Sequence, residues 1–226
     1  MVGAHFDDEM IGAGGTILKT IAETDLSGEK NEFFACILTD SSSTQYKGDA
    51  EIMEAKKKAA LKVHEEAGIS ETYAFNLPDM KLDTVPHVEI NRCISEAVRD
   101  CQPDFVLTHH HGDLNLDHRR VFESTIVAVR PTPPPAGGVR GIFLYEVASS
   151  SEWLRIPPSR AFAPNYYVDV SQYLERKLEL LGKYDMEMRP YPHPRSLEGI
   201  RILNQARGLE IARPAAEAFE VYRLVA

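Results

Sequence analysis

His5-Phe6-Asp7-Asp8-Glu9 stands directly behind a short apolar start, Met1-Val2-Gly3-Ala4, and just before a Gly-rich stretch, Gly12-Ala13-Gly14-Gly15-Thr16. An imidazole and three carboxylates packed that tightly repel one another and lose hydration on burial unless a cation holds them, so the stretch reads as half of a metal site at the end of a strand. The other half should be a histidine far along the chain, at the end of a neighbouring strand. Asp113-Leu114-Asn115-Leu116-Asp117-His118 supplies one. The glycines fit neither a G-x-G-x-x-G nor a G-x-x-x-x-G-K-[ST] phosphate cradle. They are read as a helix start whose backbone passes close to a bound group. Met1 to His5 is too short for an ordinary strand, so residues upstream of Met1 are expected.

Outward from that stretch, helical periodicity runs from Ile11 to about Ala22, and the apolar run Phe33 to Leu38 has strand length. Asp49 to Ala67 predicts a helix with Ile52, Ala55, Ala59, Ala60 and Val63 facing in and Lys56, Lys57, Lys58 and Lys62 facing out; His64 on it is read as a surface or satisfied core residue. Thr72 to Leu77, Phe105 to Thr108, Ile142 to Val147 and Tyr166 to Val170 read as further strands, and Ala218 to Leu224 as a final strand or edge extension. Helices are expected over His87 to Arg99, His118 to Val129, Val170 to Tyr184 with Ser171 as N-cap, and Ser196 to Arg207 stopped by Gly208. Pro131 to Gly138 is too Pro-rich for sheet or helix and reads as a stiff linker or lid.

Strands alternating with helices predict one α/β domain over residues 1–226, a Rossmann-like three-layer αβα sandwich with a mainly parallel sheet. Ligands of such sheets lie beyond the carboxyl ends of the strands where the strand order reverses. The first and fourth strands are neighbours in common doubly wound orders, which brings the two clusters together.

Composition narrows the partners. The formal net charge of −9 disfavours a phosphate backbone or an anionic membrane face, so small molecules fit better than nucleic acid. Cys36, Cys93 and Cys101 form no C-x-x-C pair and read as buried reduced thiols. No apolar run approaches the roughly 18 residues of a membrane span, and the acidic N-terminus is unlike a secretory peptide; a cytoplasmic protein is expected.

His5-Phe6-Asp7-Asp8-Glu9, the following Gly12, Gly14, Gly15 and Thr16, and Asp117-His118 resemble the PIG-L/LmbE-like family of zinc-dependent N-acetyl sugar deacetylases, whose signatures are A-H-P-D-D-E and H-x-D-H. Leu77-Pro78-Asp79, Pro192-His193-Pro194-Arg195-Ser196 and Ala216-Glu217-Ala218-Phe219 extend the resemblance through the chain. It implies that His5, Asp8 and His118 ligate Zn2+, leaving positions open for water and substrate, and that Asp7 is the general base which passes a proton from the attacking water to the leaving amine. It further implies a sugar-binding carboxylate at Asp79 and a homo-oligomer.

Two departures stand out. Phe6 replaces the usual proline, and Asn115 sits where the common motif has the histidine that stabilises the oxyanion. Either Asn115 is that donor or one of His109, His110 and His111 has taken over; Asp117 is expected to orient its neighbours. Trp153 is a candidate for stacking on a sugar ring, and His193 and Arg195 for holding an anionic group of a larger substrate. The expected activity is removal of an acetyl group from an N-acetylglucosamine-like sugar or glycoconjugate. The alternatives are a zinc amidase for a non-sugar acyl amide and a carbohydrate-binding member without turnover. A magnesium-binding receiver module is set aside, because Asn76 and Glu146 stand where its phosphoacceptor Asp and its Lys would be.

Overall fold

The computed structural model describes residues 1–24, 28–41, 50–131, 138–154, 158–184 and 186–225. Residues 42–49 and 132–137 lie outside these, and with them most of the expected polar loop after the second strand, the start of the following helix and the core of the Pro-rich segment.

The elements run β1 (Val2–Gly3), α1 (Asp8–Ala22), β2 (Phe34–Thr39), α2 (Ala50–Ala67), β3 (Glu71–Leu77), α3 (His87–Cys101), β4 (Phe105–His109), α4 (Leu116–Ala128), β5 (Gly141–Tyr145), β6 (Tyr166–Asp169), α5 (Leu174–Leu181), α6 (Leu197–Leu209) and β7 (Ala216–Leu224). Strands β1, β2 and β3 form a parallel ladder in the order β1-β2-β3, and β4, β5, β7 and β6 form a second one in the order β4-β5-β7-β6. Strands β4 and β5 are parallel, whereas β7 runs antiparallel to both its neighbours. The two ladders meet at β1 and β4, where the Ala4 N–H donates to His109 Nε2 (2.9 Å) and the Tyr145 hydroxyl to the Val2 carbonyl (3.0 Å).

Alternate residues of each central strand point to opposite faces, and the burial follows that period. Ala35, Ile37, Phe143 and Tyr145 pack with α1, α2, α5 and α6 on one face. Cys36, Leu38, Ile142 and Leu144 pack with α3 and α4 on the other. This is the expected three-layer αβα sandwich with a mainly parallel sheet.

Several local expectations are corrected. The final strand is interior, inserted between β5 and β6. Helix α5 starts at Leu174 rather than Val170, because Asp169 Oδ1 accepts both Ser171 N–H (3.0 Å) and Ser171 O–H (2.6 Å) and makes a turn; Tyr173, not Ser171, is the N-cap. Gly208 lies inside α6, not beyond it. A Cβ there would stand 2.5 Å from the Arg213 carbonyl, so close packing accounts for the glycine. Ala55 is exposed, and Lys56 is half-buried, bonded to the Ser41 carbonyl (3.1 Å) and paired with Glu187. Ser196, where the last helix was expected to start, is the N-cap of α6 and accepts from Gly199 N–H at 2.8 Å.

The Gly-rich stretch is not a helix start. Helix α1 begins at Asp8 and is kinked at Ala13 (φ −144°, ψ 15°), so the glycines lie within it. A Cβ on Gly12 would stand 2.3 Å from the Tyr145 ring and one on Gly15 2.7 Å from Val170, so these glycines let the helix lie against the end of β5 and the segment after β6. Backbone groups released at the kink are taken by a buried ion pair. Glu217 accepts from Gly15 N–H (2.8 Å) and Thr16 N–H (2.7 Å), and Lys177 Nζ donates to the Ile11 carbonyl (2.8 Å) and to Glu217 itself (2.7 Å). The helix is thereby fixed with its N-terminus at the carboxyl end of β1.

Candidate metal centre

The carboxyl ends of β1 and β4 lie side by side, and the segments that follow them meet. Asp8, in the first turn of α1, is fully buried between three imidazoles: His5 Nδ1, His109 Nε2 and His118 Nε2 each lie 3.3 Å from one of its oxygens. Its Oδ2 accepts from the His5 N–H (2.8 Å). Among the described residues neither its Oδ1 nor His118 Nε2 has a hydrogen-bond partner, although they face each other. A carboxylate oxygen and an imidazole nitrogen buried in that way fit a shared cation. The set His5, Asp8 and His118 supplies N, O and N donors within mutual reach, a chemistry that suits zinc.

The outer partners of these groups fix their orientation. Asp117, in the first turn of α4, accepts from Leu82 N–H through Oδ1 (3.0 Å) and places Oδ2 3.3 Å from His5 Nε2; Asp79 Oδ1 lies 3.1 Å from the same nitrogen. With Nε2 engaged, His5 turns Nδ1 toward Asp8. On the other side His118 Nδ1 lies 3.2 Å from Asp113 Oδ1, and Asp113 is held by the hydroxyls of Ser150 and Ser151 and by Asn115 N–H (2.8 Å). No motif marks Asp113 and the serine pair for this role; the three-in-a-row Ser149-Ser150-Ser151 is the signal available in the sequence.

The charges in this cluster depend on one another. Burial opposes protonation of His5 and His118, but Asp8 outweighs it, helped by Asp117 and Asp79 for His5 and by Asp113 for His118; His5 is raised well above its ordinary value and His118 to about 9. Burial and the neighbouring His118 charge push His109 down to about 4, so it lies neutral, stacked on His118 with ring centroids 3.9 Å apart. Burial, reinforced by Asp8 and opposed by Arg195, pushes the Asp7 carboxyl up to about 8. Asp7, Asp8, Asp79, Asp113 and Asp117 are all buried, and such a concentration of carboxyl groups invites positive charge.

Asp7 is the N-cap of α1 with φ 122°, and its Oδ2 pairs with Arg195 Nη1 at 3.1 Å. Arg195 comes from the loop before α6 and also reaches the Ala148 carbonyl (3.4 Å), while its own N–H donates to His193 Nδ1 (3.1 Å). Trp153 stands edge-on to His193, ring centroids 6.4 Å apart, and is 55% exposed. Trp153, His193 and Arg195, expected to bind substrate, are therefore joined in one chain of contacts that ends on Asp7, and Asp79 sits against His5.

Asn115 is the N-cap of α4: its Oδ1 accepts from Asp117 N–H (2.9 Å), and its Nδ2 points to Met80 Sδ (3.7 Å). Of the three histidines weighed against Asn115, His109 ends β4 and stays in the site beside Asp8 and His118, with its Nε2 accepting from Ala4 N–H, whereas His110 and His111 cluster with Glu220. His64 proves to be a satisfied core residue, bonded to Thr72 Oγ1 (2.8 Å) and Glu9 Oε1 (3.0 Å).

The sequence model of the family described as PIG-L: GlcNAc-PI de-N-acetylase matches residues 1–129. The chain belongs to this family. The PIG-L match takes in His5, Asp7, Asp8, Asp79, Asn115, Asp117 and His118, and stops short of Trp153, His193 and Arg195. The chain is 26% identical over 192 residues to the uncharacterized deacetylase YaiS of Escherichia coli (strain K12), covering 81% of this chain and 88% of that protein. Solved structures share its fold, among them the following two. N,N'-diacetylchitobiose deacetylase from Pyrococcus horikoshii aligns with a TM-score of 0.74 at 23% identity, covering 97% of this chain and 81% of that one. The 4-carboxy-2-hydroxymuconate hydratase GalB from Pseudomonas putida KT2440 aligns with a TM-score of 0.75 at 19% identity, covering 98% and 94%. Since proteins named for different reactions share this PIG-L-like fold, the reaction has to be argued from the site.

Proposed function

We propose that the chain is a zinc-dependent hydrolase that removes the acetyl group of an N-acetylglucosamine-like sugar, free or carried on a glycoside, lipid or nucleotide. The observation that carries this reading is the N, O, N set of half-buried His5 and buried Asp8 and His118, with a second buried carboxylate, Asp7, directly beside it and left out of the set. Membership in a de-N-acetylase family supports the amide as the bond broken. The acidic chain agrees with a small-molecule substrate, and no helix among the described residues is long and apolar enough to cross a membrane; a cytoplasmic location and a homo-oligomer complete the proposal.

His5, Asp8 and His118 would hold the zinc, which when bound supplies a Lewis acid for the acyl oxygen and makes water at the site easier to ionise. Asp7 takes the proton of the attacking water and delivers it to the amine nitrogen as the C–N bond breaks, leaving acetate and the free amine. Arg195 holds Oδ2 of that carboxylate, which leaves Oδ1 for the proton. Asp117 and Asp113 keep the two imidazoles turned toward Asp8. Asp79 receives sugar hydroxyls, Trp153 stacks on the ring, and His193 with Arg195 faces the remainder of the substrate. Asn115 Nδ2 donates to the oxyanion while its Oδ1 caps α4.

The test is acetate release by the zinc-loaded protein from a panel of N-acetylated sugars, glycosides, sugar nucleotides and non-sugar acetamides. Release from sugars, absent in Asp7→Asn, is expected. Release from the non-sugar amides alone would replace the sugar reading with an amidase, and release from none would leave a binding protein.

The assignment of Asn115 has its own test. Asn115→Ser keeps an N-capping oxygen but no amide donor, and Asn115→Ala keeps neither. Both are expected to lower kcat by roughly 10²–10³ with little change in KM, and only the alanine variant to lose about 1 kcal/mol of stability. A serine variant with wild-type kcat would move the oxyanion donor to another residue.

A further inference from the structure

Glu9 is fully buried one residue beyond the candidate zinc ligand Asp8, and the chemistry above does not use it. Its carboxylate turns away from the N, O, N set. Oε2 accepts from the backbone N–H of Asp7 (3.2 Å), and Oε1 accepts from the Tyr184 hydroxyl (2.8 Å) and from His64 Nε2 (3.0 Å). His64 is fixed in turn through Nδ1 by Thr72 Oγ1 (2.8 Å), so two separate segments, α2 and the residues after α5, converge on one side chain, with β3 bracing the first of them.

What that side chain holds is unusual. Asp7 has φ 122° and ψ −30°, outside the regions open to an L-residue without strain, and such a conformation persists only where the surroundings over-determine it. Two backbone bonds do so. The Asp7 carbonyl accepts from Ile11 N–H (2.9 Å) and closes the first turn of α1, and the Asp7 N–H is bound by Glu9. This backbone sets the Asp7 carboxylate against Arg195, while Asp8, next in the chain, points into the imidazoles. Adjacent residues of a regular helix point about 100° apart, and the strained peptide lets each serve a different partner from the same turn.

We propose that Glu9, locked by Tyr184 and His64, is a positioning residue for the general base: it binds the Asp7 N–H, holds the strained backbone and so aims the Asp7 carboxylate. The inference rests on Asp7 being the base. A displaced base loses rate more than binding, because misplacement of about 1 Å costs on the order of 10²-fold in turnover.

The experiment compares wild type with Glu9→Gln, which conserves shape but presents one acceptor to three donors, and with Tyr184→Phe, which removes one donor and no volume. Zinc content, melting temperature, kcat and KM for acetate release, and a crystal structure of each are measured. Glu9→Gln is expected to keep its zinc and to lose about 10²-fold in kcat with KM within about twofold. Tyr184→Phe, which serves if the first variant does not fold, should show a smaller loss of the same kind. In the crystals the Asp7 φ should relax from its positive value and the Asp7–Arg195 pair should open. A loss of melting temperature with unchanged kcat in both variants, or an Asp7 backbone and Arg195 pair unmoved in their crystals, would overturn the proposal and leave Glu9 as a helix cap. If wild type releases no acetate, the deacetylase reading fails on its own, and the crystal geometry of the variants still decides whether Glu9 holds Asp7.

Discussion

Asp8→Ala is expected to lose both zinc and turnover, whereas Asp7→Asn is expected to keep a full complement of zinc and lose turnover by roughly 10²–10⁴. The two residues are neighbours, equally buried and chemically identical, so the difference has to come from what each faces. Asp8 puts one oxygen opposite His118 Nε2 and the other among the His5 N–H, His5 Nδ1 and His109. Removing it deletes one of three donors and leaves two imidazoles, each drawn to that carboxylate, without their shared partner. Asp7 faces Arg195 and takes no place between the imidazoles. Its amide isostere keeps an oxygen for Arg195 but takes no proton in the pH range of the enzyme. Metal analysis of the two purified proteins, beside Asp8→Asn as a same-size control, separates the roles. Equal loss of zinc from Asp7→Asn and Asp8→Ala would make Asp7 a ligand and leave the base to be found elsewhere.

The parts of this site that were legible in the sequence are those carried by short motifs at strand ends. His5, Asp7 and Asp8 follow β1 and Asp117-His118 opens α4 after β4, and alternation of strand and helix was enough to predict that those two ends are adjacent. What stayed hidden depends on segments that are remote in sequence and carry no motif. Asp113 gains its role only because Ser150 and Ser151 fold over it, and Glu9 only because His64 and Tyr184 reach it from positions 55 and 175 residues away. The glycines misled for a related reason. A glycine tolerated for a ligand's approach and one required by a neighbouring ring are alike in sequence, and only the Tyr145 ring beside Gly12 decides between them. Whether β7 would be a full strand or an edge extension stayed open because alternation gives a strand's faces but not its neighbours, and the structure makes it a full strand between β5 and β6.

Lys177→Met is expected to destabilise the protein by about 3–5 kcal/mol, the usual cost of removing one partner from a buried ion pair. For a chain of this length that is on the order of 6–20 °C in melting temperature. Lys177 and Glu217 are each buried, and the pair does more than neutralise itself. It closes the kink in α1 from both sides, with the ammonium on the Ile11 carbonyl and Asn204 Oδ1 and the carboxylate on the N–H groups of Gly15 and Thr16. In Lys177→Met the Glu217 carboxylate keeps those two donors but loses its counter-charge, and the Ile11 carbonyl loses its partner in the core. In Glu217→Gln the ammonium is left in the core while the amide oxygen can accept from only some of the same N–H groups. The double variant leaves neither charge exposed to the other's absence, so its loss should fall short of the sum of the single losses. Denaturant titration of the four proteins measures that coupling; strict additivity would mean that the two side chains act on α1 independently. The same helix carries Asp7 at its N-cap and Asp8 and Glu9 in its first turn, ahead of the kink. The single variants, assayed well below their melting temperatures, should therefore lose kcat as well as stability, and the part of that loss restored in the double variant measures how far the buried pair sets the position of the site.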